Sequence, residues 1–149
     1  MESTAILVAD DTDDDVVLLQ RAFTKARMAP PRHIVDNGAA AIAYLAGEGP
    51  YADRTLFPLP ALLLLDLKLP QRSGLEVLAW LRQQPGLKRL PVIVMTTSAQ
   101  PTDVDQACEL GANAFVVKST PFDDLVALVH ALHTFWFGWN IPPHRLKNA

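Results

Sequence analysis

Ala61-Leu62-Leu63-Leu64-Leu65 is an unbroken apolar run, preceded by Pro60 and followed by Asp66-Leu67-Lys68-Leu69-Pro70. A strand with one solvated face alternates apolar and polar residues. A run without any polar position reads as a strand buried on both faces, the habit of a parallel sheet covered by helices. A second run, Ala5-Ile6-Leu7-Val8-Ala9, has the same character and also ends in acid, Asp10-Asp11. Open parallel sheets hold their ligands at the carboxyl ends of the strands. Three carboxylates are therefore expected at one edge.

Three weaker or shorter runs complete the pattern: His33-Ile34-Val35, Val92–Met95 and Ala114–Val117. Helical spacing fills the intervals. Leu18, Leu19, Ala22, Phe23 and Ala26 recur on one face; Gly38 to Leu45 is alanine-rich; Gly74, Val77, Leu78 and Leu81 follow the i, i+3, i+4, i+7 rule. Val104, Ala107 and Cys108 predict a fourth helix stopped by Gly111, with Cys108 a small buried hydrophobe. For the fifth, Thr120 suits the N-cap, Pro121 the first helical position and Asp123 the positive end of the dipole. Phe122, Leu125, Val126, Val129, Leu132 and Trp136 form its apolar stripe. Alternating strand and helix implies right-handed βαβ units around one sheet. The expected fold is α/β, a flavodoxin-like (βα)5 doubly wound parallel five-stranded sheet. Gly47 to Pro60 reads as a long surface loop, and Gly138-Trp139-Asn140-Ile141-Pro142-Pro143 as a tail that cannot continue a helix.

A length of 149 residues, half of them hydrophobic, suits one domain with a substantial core. The formal charge of −3 argues against nucleic acid as the main partner. With Cys108 the single cysteine, neither an internal disulfide nor a cysteine metal cluster is expected. The first apolar run is too short for a signal peptide or a membrane span, so a cytoplasmic protein without membrane contact is expected.

Two further strand ends carry polar side chains: Thr96 after the fourth run and Lys118 after the fifth. Two carboxylates within ~4–5 Å repel by roughly 3–4 kcal/mol at an effective dielectric near 20. Three of them call for a cation, and hard oxygen donors without His or Cys favour Mg2+. Asp66 is then a nucleophile toward phosphorus, its phosphoryl group held by the metal, the Thr96 hydroxyl and the Lys118 ammonium. Each residue has an ordinary reading alone: Thr96 a strand-end threonine, Lys118 a solvated lysine, and Asp13, Asp14 and Asp15 first-turn acids that offset a helix dipole. Their joint order at four strand ends is what points to a site.

These residues resemble the receiver domain of two-component response regulators. The likeness rests on Asp10-Asp11, on Asp66-Leu-Lys-Leu-Pro70 with Gly74, and on Thr96 and Lys118, and it spans nearly the whole chain. It implies a receiver domain over 1–137 and a C-terminal extension over 138–149. It implies that Asp66 accepts a phosphoryl group from a phosphohistidine of a sensor histidine kinase. It further implies that Asp11, Asp66 and the Lys68 backbone carbonyl bind Mg2+ directly, with Asp10 acting mainly through water. Phe115 matches an aromatic that turns inward when the Thr96 hydroxyl moves to the phosphoryl group; it also reads as a core aromatic.

A narrower likeness joins the loop through Tyr51 and Pro60, the segment Leu90-Pro91-Val92 into Thr96-Thr97-Ser98, and the ending Phe135-Trp136-Phe137 with Pro142-Pro143. These are similar to single-domain regulators paired with bacterial phytochromes, which implies a phytochrome-type kinase as partner and a homodimer formed through the C-terminal part. Three residues depart from the family pattern. Ser119 stands where proline after a cis peptide is usual, Lys68 brings a charge near the acceptor, and Thr97 is bulkier than the small residue common there. The last two imply a long-lived phosphate. Two other functions compete. One is a haloacid-dehalogenase-like phosphatase with its nucleophile within Asp10-Asp11-Thr12-Asp13, which leaves Asp66 without a role. The other is a receiver-fold binding module that is never phosphorylated.

Overall fold

The computed structural model describes residues 5–97, 100–118 and 121–141. Five parallel strands form one sheet in the order β2-β1-β3-β4-β5: β1 Ile6–Ala9, β2 His33–Val35, β3 Leu62–Leu65, β4 Val92–Thr96 and β5 Ala114–Val117. The helices between and after them are α1 Asp13–Lys25, α2 Gly38–Ala46, α3 Gly74–Arg82, α4 Pro101–Glu109 and α5 Phe122–Thr134. This is the flavodoxin-like arrangement expected from the alternation of apolar runs with helical spacing, and its order reverses at β1 and β3.

Side chains alternate across each strand, so a wholly apolar strand needs a hydrophobic layer on each side. Leu7, Ala9, Leu63, Leu65 and Val92 face a core completed by Tyr44 and Leu45 of α2 and Val77, Leu78 and Leu81 of α3. Ile6, Val8, Leu62, Leu64, Ile93 and Met95 face the opposite core, closed by Leu19, Ala22 and Phe23 of α1 and Val129 of α5. A smaller cluster of Leu67, Val94 and Ala107 sits under α4, with Phe115 packed against it. Every residue of β1, β3 and β4 is buried, whereas the edge strand β5 is half-buried throughout.

Local chemistry explains where the elements begin and end. Asn37 Oδ1 accepts the Ala40 N–H at 2.7 Å and starts α2. Ser73 Oγ does the same for Glu76 at 3.2 Å and starts α3. Gly111 follows the C-cap Leu110 with φ of 98°, a conformation that favours glycine, and stops α4 as expected. The stretch from Gly47 to Pro60 is more than a surface loop. Tyr51 and Phe57 pack on Tyr44 with ring centroids 5.1 and 6.0 Å away. Arg54 donates to the carbonyls of Tyr44, Leu45 and Phe57, tying the loop to the end of α2.

Four expectations need correction. Pro121 is the N-cap of α5 rather than its first helical residue, because its ψ of 151° is extended and helical backbone begins at Phe122; Thr120 lies outside the described residues. Cys108 is exposed, because the phase of α4 turns Ala107 inward and its neighbour outward. Leu18 is 43% exposed, so the buried face of α1 is carried by Leu19, Ala22 and Phe23. Helical winding continues into the tail past Phe137, where Gly138 was expected to stop it: a π-helical turn runs Phe135–Trp139, closed by the Asn140 N–H on the Phe135 carbonyl at 2.6 Å. The wider turn absorbs Gly138, and the helical winding ends at Asn140. Pro142-Pro143 lie outside the described residues. Among the described residues no helix is long and apolar enough to cross a membrane.

Gly74 places α3 against the loop that follows β3. Its N–H donates to the Leu67 carbonyl at 2.8 Å, and a Cβ there would meet the Asp66 carbonyl oxygen at 2.1 Å. Both atoms belong to backbone, so neither rotates away. Gly74→Ala should therefore lower the unfolding free energy by about 1–3 kcal/mol, read as an earlier midpoint in urea denaturation; an unchanged midpoint would mean that α3 shifts without cost.

Candidate functional site

Strand register brings the acids together. Ala9 of β1 pairs with Leu65 of β3, so the next residues, Asp10 and Asp66, leave the sheet at the same level. Their backbones extend the ladders: the Asp10 N–H donates to Val35 O at 3.0 Å and the Asp66 N–H to Ala9 O at 2.9 Å. Thr96 ends β4 opposite Val117 of β5, and the Lys118 N–H donates to Thr96 O at 2.8 Å. Asp10, Asp66 and Thr96 are buried, while Asp11 and Lys68 are exposed at the rim.

The Lys118 ammonium sits among the carboxylates. Nζ donates to Asp10 Oδ2 at 2.5 Å and to Asp66 Oδ2 at 2.8 Å. A third acceptor is Asp15 Oδ2 on the first turn of α1, at 3.1 Å. The remaining oxygens of the two buried acids are oriented by backbone: Thr12 N–H donates to Asp10 Oδ1 at 3.0 Å and Lys68 N–H to Asp66 Oδ1 at 3.2 Å. Each carboxylate is thus fixed by a lysine on one oxygen and a main-chain donor two residues on.

Burial raises the Asp10 carboxyl above its ordinary value; the hydrogen bonds from Lys118 and Thr12 oppose this, and the nearby charge of Asp66 adds to it. Burial acts on Lys118 in the direction of deprotonation, but its hydrogen bonds to Asp10 and Asp66 outweigh this and hold the ammonium above its ordinary value. The lysine is therefore charged at neutral pH.

Asp10, Asp11 and Asp66 each offer a carboxylate oxygen, and these lie within 4.8 Å of one another. Three carboxylates, those of Asp10, Asp66 and Asp15, bond one ammonium and Asp11 lies beside two of them, so negative charge remains to be compensated. Oxygen donors alone, without His or Cys, fit a hard divalent cation. The Lys68 main chain lies against Asp66 through its N–H.

Of the residues singled out in the sequence, Asp10, Asp11, Asp66 and Lys118 meet directly, and Thr96 stands one register step beyond Asp66 on β4. Phe115 lies in the neighbouring cluster with Leu67, Val94 and Ala107, half-buried on β5. Thr97 is exposed, and Ser119 lies outside the described residues. Asp15 is the site residue that sequence reasoning missed. In the sequence it reads, like Asp13 and Asp14, as a dipole acid, and only the docking of α1 against α5 reveals its contact with Lys118.

Residues 6–130 match the family described as response regulator receiver domain. The chain belongs to that family. The response regulator Rcp1 of Synechocystis sp. is 39% identical over 131 residues, covering 88% of this chain and 87% of Rcp1. The crystal structure of the phosphorylated cyanobacterial phytochrome response regulator RcpA has a TM-score of 0.85 at 34% identity, covering 95% of this chain and 99% of that one. The Mn2+-bound form of Rcp1 has a TM-score of 0.82 at 37% identity, with the same coverage of 95% and 99%. This receiver domain is thus similar to phytochrome response regulators over nearly its whole length.

The direction of the Asp10 shift has a consequence for stability. A carboxyl raised on folding contributes stability below its unfolded value near 3.8 and loses it as pH rises through the folded value. Ionised Asp10 therefore costs the metal-free fold at neutral pH. In chelator, Asp10→Asn should melt higher than wild type at pH 7, with the gap closing as the pH falls toward 3.8. A variant that melts lower at pH 7 would mean that the Lys118 bond outweighs desolvation.

Proposed function

We propose that this receiver domain is a phosphoacceptor signalling protein: Asp66 takes a phosphoryl group from a phosphohistidine of a sensor histidine kinase, and the modified state signals through protein contacts. The observation that carries this reading is the Lys118 ammonium bridging Asp10 and Asp66 beside the exposed Asp11. A structural ion pair needs one carboxylate. Three converging on a strand edge, two of them buried, are costly to keep unless they serve chemistry.

In the proposed reaction an Asp66 carboxylate oxygen attacks phosphorus, the P–O bond forms, and the P–N bond breaks with its electron pair leaving on the imidazole nitrogen. Lys118 offers its ammonium to the transferred oxygens, and the buried Thr96 hydroxyl at the end of β4 is the second anchor. Asp10, Asp11, Asp66 and the Lys68 carbonyl would hold Mg2+, Asp10 mainly through water; when bound, the ion supplies charge neutralisation for the acids and the phosphoryl oxygens. Movement of Thr96 toward the phosphoryl group, followed by Phe115 turning inward, is the proposed switch. The protein is in this reading no enzyme toward other substrates, catalysing only its own phosphorylation and slow dephosphorylation.

The likeness to phytochrome response regulators supports a bacterial phytochrome kinase as donor, in the cytoplasm where such kinases present their histidine. The C-terminal part supports a homodimer. Phe135, Trp139 and Ile141 are 53%, 79% and 90% exposed within one short stretch, while Trp136 and Phe137 pack inward on the α1–α5 side. Exposed aromatics grouped in this way favour a partner surface, here a second copy of the chain.

With Mg2+ and acetyl phosphate, the label should map to Asp66, vanish in Asp66→Asn and in chelator, and fall at least about a hundredfold in rate in Lys118→Ala, the scale of losing one preorganised charge donor. Absence of label in folded wild type would favour the unphosphorylated binding module. If Lys68→Asn and Thr97→Ala both leave the dephosphorylation rate unchanged, their proposed role in a long phosphate lifetime is wrong. Light scattering should give a dimer mass that Trp139→Ser reduces to the monomer; a wild-type monomer at tens of micromolar would end the dimer reading.

A further inference from the structure

We propose that Asp15 is a positioning residue that competes with the phosphoryl group for Lys118, and so sets how readily the site accepts an anion. This inference rests on the phosphoacceptor reading. An ammonium has three N–H donors, and Asp10, Asp66 and Asp15 receive them at 2.5, 2.8 and 3.1 Å. A phosphoryl oxygen can bond Lys118 only when one of these acceptors gives way.

The three acceptors are not equivalent. The side chains of Asp10 and Asp66 are each 9% exposed, so either would lose its partner in a place water barely reaches. The side chain of Asp15 is 33% exposed and is rehydrated on release. It also makes the longest of the three bonds. Asp15 is therefore the partner that yields at least cost, and its carboxylate is the one that the incoming anion displaces.

Packing does not enclose the lysine on every side, although its side chain is only 10% exposed. Beside Lys118, between α1 and α5, lies a cavity of about 90 Å3 lined by Leu18, Leu64, Met95, Phe122 and Leu125. With open space beside the side chain, the ammonium is located by its three hydrogen bonds rather than by contact on all sides. Removal of Asp15 leaves the two buried acids to hold Lys118 in the site, with one donor unclaimed and facing an approaching phosphoryl oxygen. The expected consequence is an improvement, which loss of a purely structural acid would not give. Asp14, on the same turn of α1 and not among the described partners of Lys118, provides the control for long-range charge.

The experiment measures phosphorylation of Asp66 by acetyl phosphate in Mg2+, together with beryllofluoride binding as a readout independent of turnover, in wild type, Asp15→Asn, Asp15→Glu and Asp14→Asn. Asp15→Asn should lower the KM for acetyl phosphate by about threefold with the maximal rate unchanged, the scale of a partly exposed ion pair, and tighten beryllofluoride binding equally. Asp15→Glu should restore wild-type values and Asp14→Asn should keep them. With wild type labelled on Asp66, the proposal is overturned by an unchanged KM in Asp15→Asn, by a fall in its maximal rate, or by an equal effect of Asp14→Asn, and the phosphoacceptor reading stands. A folded wild type that takes no label overturns both.

Discussion

The side-by-side pairing of Ala9 with Leu65 governs what this molecule can do. It sets two adjacent strands so that the residue after each is an acid, and the ladder bond from Asp66 N–H to Ala9 O carries that alignment into the site. A slip of one residue would turn every side chain of one strand to the opposite face. Leucines then would face the wrong core, so the hydrophobic layers of α2–α3 and α1–α5 hold the register. The two buried carboxylates are thus kept close by apolar burial in the sheet, against their mutual repulsion. Lys118 offsets part of that repulsion, while burial, more than the charge of Asp66, keeps the Asp10 carboxyl above its ordinary value.

Most of this was legible in the sequence because the strands are short and unambiguous. Four leucines in β3 allow no solvated face, and each run that ends in acid, threonine or lysine declares a strand end. Asp15, Pro121 and Cys108 were harder because their meaning depends on phase and docking. One step around α4 separates buried Ala107 from exposed Cys108. The three first-turn acids of α1 look alike in sequence, and only the rotation of the helix about its axis aims Asp15 at Lys118. The π-helical turn at Phe135–Trp139 had no sequence signal, since glycine there reads first as a stop.

The distribution of packing says where a change at Asp66 can travel. β1 and β3 are buried along their whole length, and close-packed layers on both faces leave them little freedom. β5 is half-buried at each position, α4 buries only Ala107, and α5 buries only Val129. Elements with few buried side chains rearrange at lower cost than the core they rest on. The side of the sheet formed by β5, α4 and α5 is therefore the part able to adopt a second arrangement.

Thr96 and Lys118 stand at the boundary between these two regions. Thr96 ends a fully buried strand, and Lys118 continues the half-buried one that pairs with it. Both are joined through the Lys118 N–H on the Thr96 carbonyl, so a shift of either is felt by the other. Phe115 lies three residues before Lys118 on the same strand and packs beside Ala107 of α4. In the proposed phosphorylation, a charge placed on Asp66 acts first on the lysine, whose N–H donors it must share with Asp10 and Asp15, and only then on the strand that carries Phe115. Rigid acids on one side and a loosely packed strand on the other allow a local change of charge to become a change of surface. A partner that binds one arrangement better than the other can read it, and without such a difference in affinity no signal passes.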